Sequence, residues 1–329
     1  MNVVFTSAGR RVELLRSFRR AYEELGIEGR LVAVDMDPLA AALQVADRVH
    51  LVPPFSDPGY TEQLAEICRR EEASLLVPLI DDEMPVLVRN RAMLEATGAR
   101  PLLLEEEAFR HTADKLSTHS FFERIGVATP ETWPGHRALE EDLTFPLFVK
   151  PRYGSGGKGT FKVRNRRELE FFVAFVADAI VQEFLPGAEV TSDVLCDAAG
   201  TVRAVVSRRR IEVRAGEVSK GVTVVDEAVL KGCVAIAEGL GATCPITVQC
   251  MFRDGAPYFT EVNPRFGGGV PLALAAGAPL PQWLLATEID PDYRTPPLGS
   301  YAAGVYFTRF DEAFVLDADQ VEGRARGRL

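Results

Sequence analysis

Over residues 1–110 short apolar runs alternate with stretches of helical spacing. That alternation confines the N-terminal third to a parallel sheet wound on both faces. Residues 3–5 run into the turn Thr6-Ser7-Ala8-Gly9, and residues 12–25 carry helical periodicity that closes at Gly26. Further strands are predicted at 31–34, 49–52, 75–78 and 101–104, and further helices at 61–70 and 84–97. Ligands of such sheets sit beyond the carboxyl ends of the strands. Two strand ends stand out. The first, Thr6-Ser-Ala-Gly9-Arg10-Arg11, has one glycine where a dinucleotide fingerprint needs three, which disfavours a nicotinamide cofactor. Its arginines either meet an anionic substrate or form a solvated first helical turn. The second, Ile80-Asp81-Asp82-Glu83, crowds carboxylates at a strand end. They either contact a substrate amine or serve as the acids of a helix N-terminus.

Residues 111–135 read as helical, with a break at Thr129-Pro130, and from about residue 145 the texture changes. Strands at 145–150, 159–163, 179–184, 189–196, 202–209, 218–223, 246–253 and 256–262 flank helices at 167–177 and 227–240. Hairpin signals fall at Ala199-Gly200, Ala215-Gly216 and Asp254-Gly255. This part reads as α+β with antiparallel sheets. The last thirty or so residues read as an edge segment or a loose tail. With 329 residues the chain has room for two or three domains. A formal net charge of −10 argues against a general nucleic-acid binder. No apolar stretch approaches the roughly 20 residues of a membrane helix. The five cysteines form no zinc spacing and fit reduced core thiols in a cytoplasm.

Three constellations carry chemistry. In Phe145-Pro-Leu-Phe-Val-Lys150-Pro-Arg-Tyr-Gly154-Ser155-Gly156-Gly157-Lys158-Gly159 a strand delivers a lysine and then a glycine loop. Such a loop either cradles phosphates with its amides or is a flexible hairpin tip. In Val181-Gln182-Glu183-Phe184-Leu185-Pro-Gly187-Ala-Glu189 a short linker joins two strands. Its backbone could meet an adenine edge and Glu189 ribose hydroxyls, or its acids are simply solvated. In Gln249-…-Glu261-Val-Asn263-Pro-Arg265-Phe-Gly267-Gly268-Gly269 the pair Glu261 and Asn263 shares one strand face. A carboxylate beside an amide oxygen suits magnesium, and Arg265 can brace a phosphoryl transition state.

In order and spacing the three motifs resemble the ATP-grasp ligases, nearest to single-unit proteins similar to the carbamoyl-phosphate synthase large chain. The likeness extends over roughly residues 1–295. It implies an α/β Rossmann-like domain at 1–110, a lid and linker at 111–182, and an α+β ATP-grasp catalytic domain with a tail at 183–329. It further implies that Lys115 and Lys150 reach ATP phosphates and that Gly154, Ser155, Gly156 and Gly157 close over them. Gln182, Glu183, Phe184 and Leu185 would frame adenine, and Glu189 would hold ribose. Gln249, Glu261 and Asn263 would bind magnesium, or manganese as a substitute. Arg265 would stabilise an acyl phosphate, and Arg209 and Lys220 would contact phosphate or substrate, with Arg208 and Arg210 competing for the first of these roles. The expected activity is ADP-forming ligation of a small carboxylate to an amine or thiol, in the cytoplasm. Nucleic acid and membrane are not expected partners; a homodimer is left open. Carbamoyl-phosphate-synthase-like work with a partner, and non-catalytic ATP binding, are the alternatives. The 329 residues hold one such unit, where that synthase has two related halves, and no glutamine-hydrolysing domain is expected among them.

Overall fold

The computed structural model describes residues 1–154, 156–214 and 217–325. Ser155 and the Ala215-Gly216 hairpin signal lie outside the described residues. The first sheet is built from β1 (Asn2–Thr6), β2 (Leu31–Asp35), β3 (Arg48–Leu51), β4 (Ala73–Pro78) and β5 (Arg100–Pro101). All its pairings are parallel, in the order β3-β2-β1-β4-β5. Every residue of β2, and all of β1 except Asn2, is buried, because helices cover both faces. The order reverses between β1 and β4, so the two strand ends singled out in the sequence flank one crevice.

Two expected helices are interrupted. Residues 84–97 form Met84–Arg89 and Arg91–Glu95. Between them the Asn90 amide donates to the Val86 carbonyl at 2.8 Å and competes with the helical ladder. The helical stretch expected over 111–135 is found as Glu106–Ala113 and Lys115–Arg124, and Thr132–Pro134 is a strand instead. Asp114 is extended and its carboxylate caps the Leu116 amide at 3.0 Å, which restarts the helix at Lys115.

The second sheet comprises β6 (Thr132–Pro134), β7 (Leu147–Pro151), β8 (Phe161–Val163) and β9 (Ala179–Glu183), ordered β6-β9-β7-β8 and antiparallel. It has its own small core around Leu147, Val149, Val163, Leu169 and Val181. The third sheet holds β10 (Glu189–Cys196), β11 (Val202–Arg214), β12 (Glu217–Val224), β13 (Ile246–Arg253), β14 (Ala256–Asn263) and β15 (Tyr306–Thr308). It is antiparallel in the order β14-β13-β10-β11-β12-β15. Asp254 and Gly255 both have positive φ, 52° and 81°, as the two-residue hairpin between β13 and β14 requires. The C-terminal segment supplies β15 as an edge strand on β12. One face of this sheet packs Val190, Val248, Cys250 and Phe259 against Cys233 and Ile236 of helix Glu227–Gly239. The same core continues into the first sheet, where Phe18 meets Phe266 edge-on at 5.8 Å.

Candidate active site

The opposite face of the third sheet carries the polar residues. The register sets Gln249 opposite both Thr191 and Glu261, and Thr247 opposite both Asp193 and Asn263. Directly opposite residues of antiparallel strands point to one side. Gln249, Glu261 and Asn263 therefore form one patch. Among the described residues the Glu261 carboxylate makes no hydrogen bond or ion pair.

Two lysines approach that carboxylate from other elements. Lys150, on β7, is buried and donates to Gln182 Oε1 at 2.8 Å. Burial pushes its ammonium down to about 8, opposed by Glu261 and assisted by Lys115. Lys115 opens its helix and donates from Nζ to the Gly154 carbonyl at 2.6 Å. Burial lowers its pKa too, while Glu261, Asp114 and Asp81 work against the shift. Lys115 is placed by its neighbour, since Asp114 accepts from Arg152 Nε at 2.7 Å and so ties the helix start to the strand leaving Lys150. The loop that follows turns through positive φ at Gly154, Gly156, Gly157 and Gly159.

The linker between the second and third sheets lies against the end of β13. Gly187 donates to the Phe252 carbonyl at 3.0 Å, and a Cβ there would fall 2.1 Å from that oxygen. Only glycine permits this approach. Glu183 pairs with Arg253, Lys162 stands 3.6 Å over the Phe184 ring, and Leu185 is buried. Gln182 also donates to Thr132 Oγ1 at 2.8 Å. Glu189 accepts from Arg210 at 2.5 Å.

Residues 112–269 match the family described as ATP-grasp domain, and residues 3–102 that described as PylC-like, N-terminal domain. The chain thus carries an ATP-grasp domain behind a PylC-like N-terminal domain. It is 27% identical over 280 residues to a carbamoyl phosphate synthase large chain of Deinococcus radiodurans, covering 78% of this chain and 26% of that one. It thus spans about a quarter of the length of such relatives. A 3-methyl-D-ornithine--L-lysine ligase of Methanosarcina acetivorans is 27% identical over 199 residues, 60% of this chain and 49% of that one. In fold, an L-amino acid ligase from Bacillus licheniformis superposes with a TM-score of 0.68 at 22% identity, over 88% of this chain and 74% of that one.

Two expected site residues of this ATP-grasp chain lie elsewhere. Arg209 pairs in register with Val190 and Val222, so it is turned to the face opposite Glu261 and is exposed there. The physical reason is strand alternation: Arg208, opposite Thr191, and Arg210, opposite Gly221, take the polar face. Lys220 is half exposed and bonds Glu212 at 2.6 Å, on the side of β12 away from Gly221.

The second sequence motif runs on through Thr191 to Asp193 but gives neither a role, although both follow Glu189 at a spacing of two. Arg208 pairs with Asp193 in the interior, under the glycine triplet. A Cβ on Gly269 would fall 2.0 Å from Arg208 Cζ, and one on Gly267 2.3 Å from Asp193 Oδ1. The triplet thus serves close packing over an ion pair. In the first sheet the Asp35 carboxylate, the place of a ribose partner in dinucleotide folds, accepts from Gly9 at 2.7 Å and Asp37 at 2.9 Å. The five cysteines are all buried and unpaired. Among the described residues no helix is long and apolar enough to cross a membrane.

Proposed function

We propose that the protein is an ATP-dependent, ADP-forming ligase that joins a small carboxylate to an amine (or thiol) through an acyl phosphate. The observation that carries this reading is the Glu261 carboxylate, without hydrogen bond or ion pair among the described residues and in electrostatic reach of Lys115 and Lys150 on two other elements. The residues fit magnesium: one carboxylate and the amide oxygens of Gln249 and Asn263 are a small hard-oxygen set, leaving positions for phosphates and water. When bound, the metal (or manganese in its place) would neutralise phosphate oxygens.

Lys150, held by Gln182, places its charge on the phosphates from the lid side, and Lys115 does so from the helix start. The amides of Gly154, Gly156, Gly157 and Gly159 close over them. Glu183 to Leu185 take the adenine, and Glu189 takes the ribose, oriented by Arg210. A substrate carboxylate oxygen attacks the γ-phosphorus, the bond to the bridging oxygen breaks, and ADP leaves. Arg265 stabilises the charge on the acyl phosphate. The amine nitrogen then attacks the carbonyl carbon, phosphate departs and the nitrogen gives up a proton. Positioning and charge neutralisation carry the reaction, with no protein nucleophile. The separate core of the second sheet supports reading 111–182 as lid and linker between 1–110 and 183–329. The five buried thiols agree with a reducing compartment such as the cytoplasm.

The test is product analysis. Protein with ATP, magnesium and pooled carboxylates and amines should release ADP and phosphate only with particular pools. Folded Glu261→Ala and Lys150→Ala proteins should lose that release. AMP in place of ADP would mean adenylation and sink the acyl-phosphate reading.

A further inference from the structure

The three acids after β4 have different fates. Glu83 is fully buried and committed: Thr6, Ser7 and Tyr60 all donate to it, and burial still raises its pKa. Asp82 is exposed. Asp81 crosses to the third sheet and pairs with Arg265, 184 positions away. This pair is incomplete on both sides. Asp81 Oδ1 and Arg265 Nε are buried, and neither has a hydrogen-bond partner among the described residues.

An unmet buried acceptor beside an unmet buried donor asks for a ligand that supplies the converse of each. A plain carboxylate would satisfy Arg265 and be repelled by Asp81, and a plain amine would do the reverse. A zwitterion satisfies both. The Asp193–Arg208 pair has the same two orphan atoms, but the backbone of the glycine triplet lies on it. Asp81 instead acts electrostatically on Lys115.

We propose, on the ligase reading above, that Asp81 recognises an ammonium group adjacent to the reacting carboxylate, so that the acyl donor is an amino acid. Binding of that ammonium takes Asp81 from Arg265 and frees the guanidinium for the acyl phosphate. Without the donor, Arg265 stays tied to Asp81 and ATP is not turned over idly.

The experiment measures ADP release with amino acids and with their counterparts lacking the α-amino group, such as alanine against propionate and lysine against 6-aminohexanoate. The wild-type protein is expected to favour the preferred amino acid over its counterpart by about 100-fold in kcat/KM. Asp81→Asn should shrink that ratio to within about tenfold, which is about 1.4 kcal/mol of the discrimination remaining. It should also raise donor-free ADP release several-fold, while ATP still raises its melting temperature. Asp81→Ser is read alongside, and Asp82→Asn should match wild type. Equal use of deaminated acids by wild type, an unchanged ratio in both Asp81 variants, or loss of the ratio in Asp82→Asn instead would overturn the assignment. Wild-type protein that releases no ADP with any carboxylate would overturn the ligase reading itself, a distinguishable failure.

Discussion

Lys150 should make nucleotide binding depend on pH in a range where an ordinary lysine is inert. Its pKa of about 8, against 10.5 for a free lysine, means that burial disfavours the charged form by about 3 kcal/mol. Phosphates placed beside it return that charge to favour, so ATP binding takes up a proton above pH 8. If only the charged form binds, apparent affinity falls about tenfold between pH 7 and pH 9. At pH 8.5 about a quarter of the free protein carries the proton, so binding should take up about 0.8 proton per site. Titration calorimetry in two buffers of different ionisation heat reads this directly. Lys150→Arg keeps its charge at every accessible pH and should remove most of the uptake; Lys115, whose pKa is also lowered, supplies a remainder. The linkage to folding has a defined sign. The folded pKa lies below the unfolded one, so the unfolded chain binds more protons between about pH 8 and 10.5. This group therefore adds stability to the ligand-free protein as pH rises through that window. Uptake under about 0.2 proton at pH 8.5, or full uptake retained in Lys150→Arg, would refute the assignment.

Gly269→Ala forces a methyl group against the Arg208 guanidinium. It should destabilise the protein by about 2–4 kcal/mol in denaturant unfolding; a change within about 0.5 kcal/mol would show that Arg208 moves aside freely. Asp193→Ala leaves Arg208 buried and unpaired and should cost about 3–5 kcal/mol. Glu212→Ala, by contrast, removes a solvent-exposed partner of Lys220 and should leave the melting temperature where it is. Gly187→Ala should disturb the join between β13 and the linker of the second and third sheets, raising KM for ATP several-fold with smaller change in kcat, as steady-state kinetics would show.

The sequence by itself determined the parallel first sheet, the antiparallel remainder and the three chemical motifs. These are written in periods of two and 3.6 residues and in local glycine placement, which a chain expresses without distant help. That Lys150, Glu261 and Asn263 sit on strands was legible for the same reason, because the local pattern fixes each strand and its faces. Tertiary structure decided the rest. Three consecutive arginines, 208–210, are equivalent on the page, and only pairing with β10 and β12 turns Arg208 and Arg210 to the polar face and Arg209 away from it. Nothing local in the glycine triplet shows that Arg208 lies beneath it. Asp81 and Arg265 are separated by most of the chain, and no periodicity links them. Their ion pair exists because two sheets, each folded on local signals, share one hydrophobic core and bring their strand ends together.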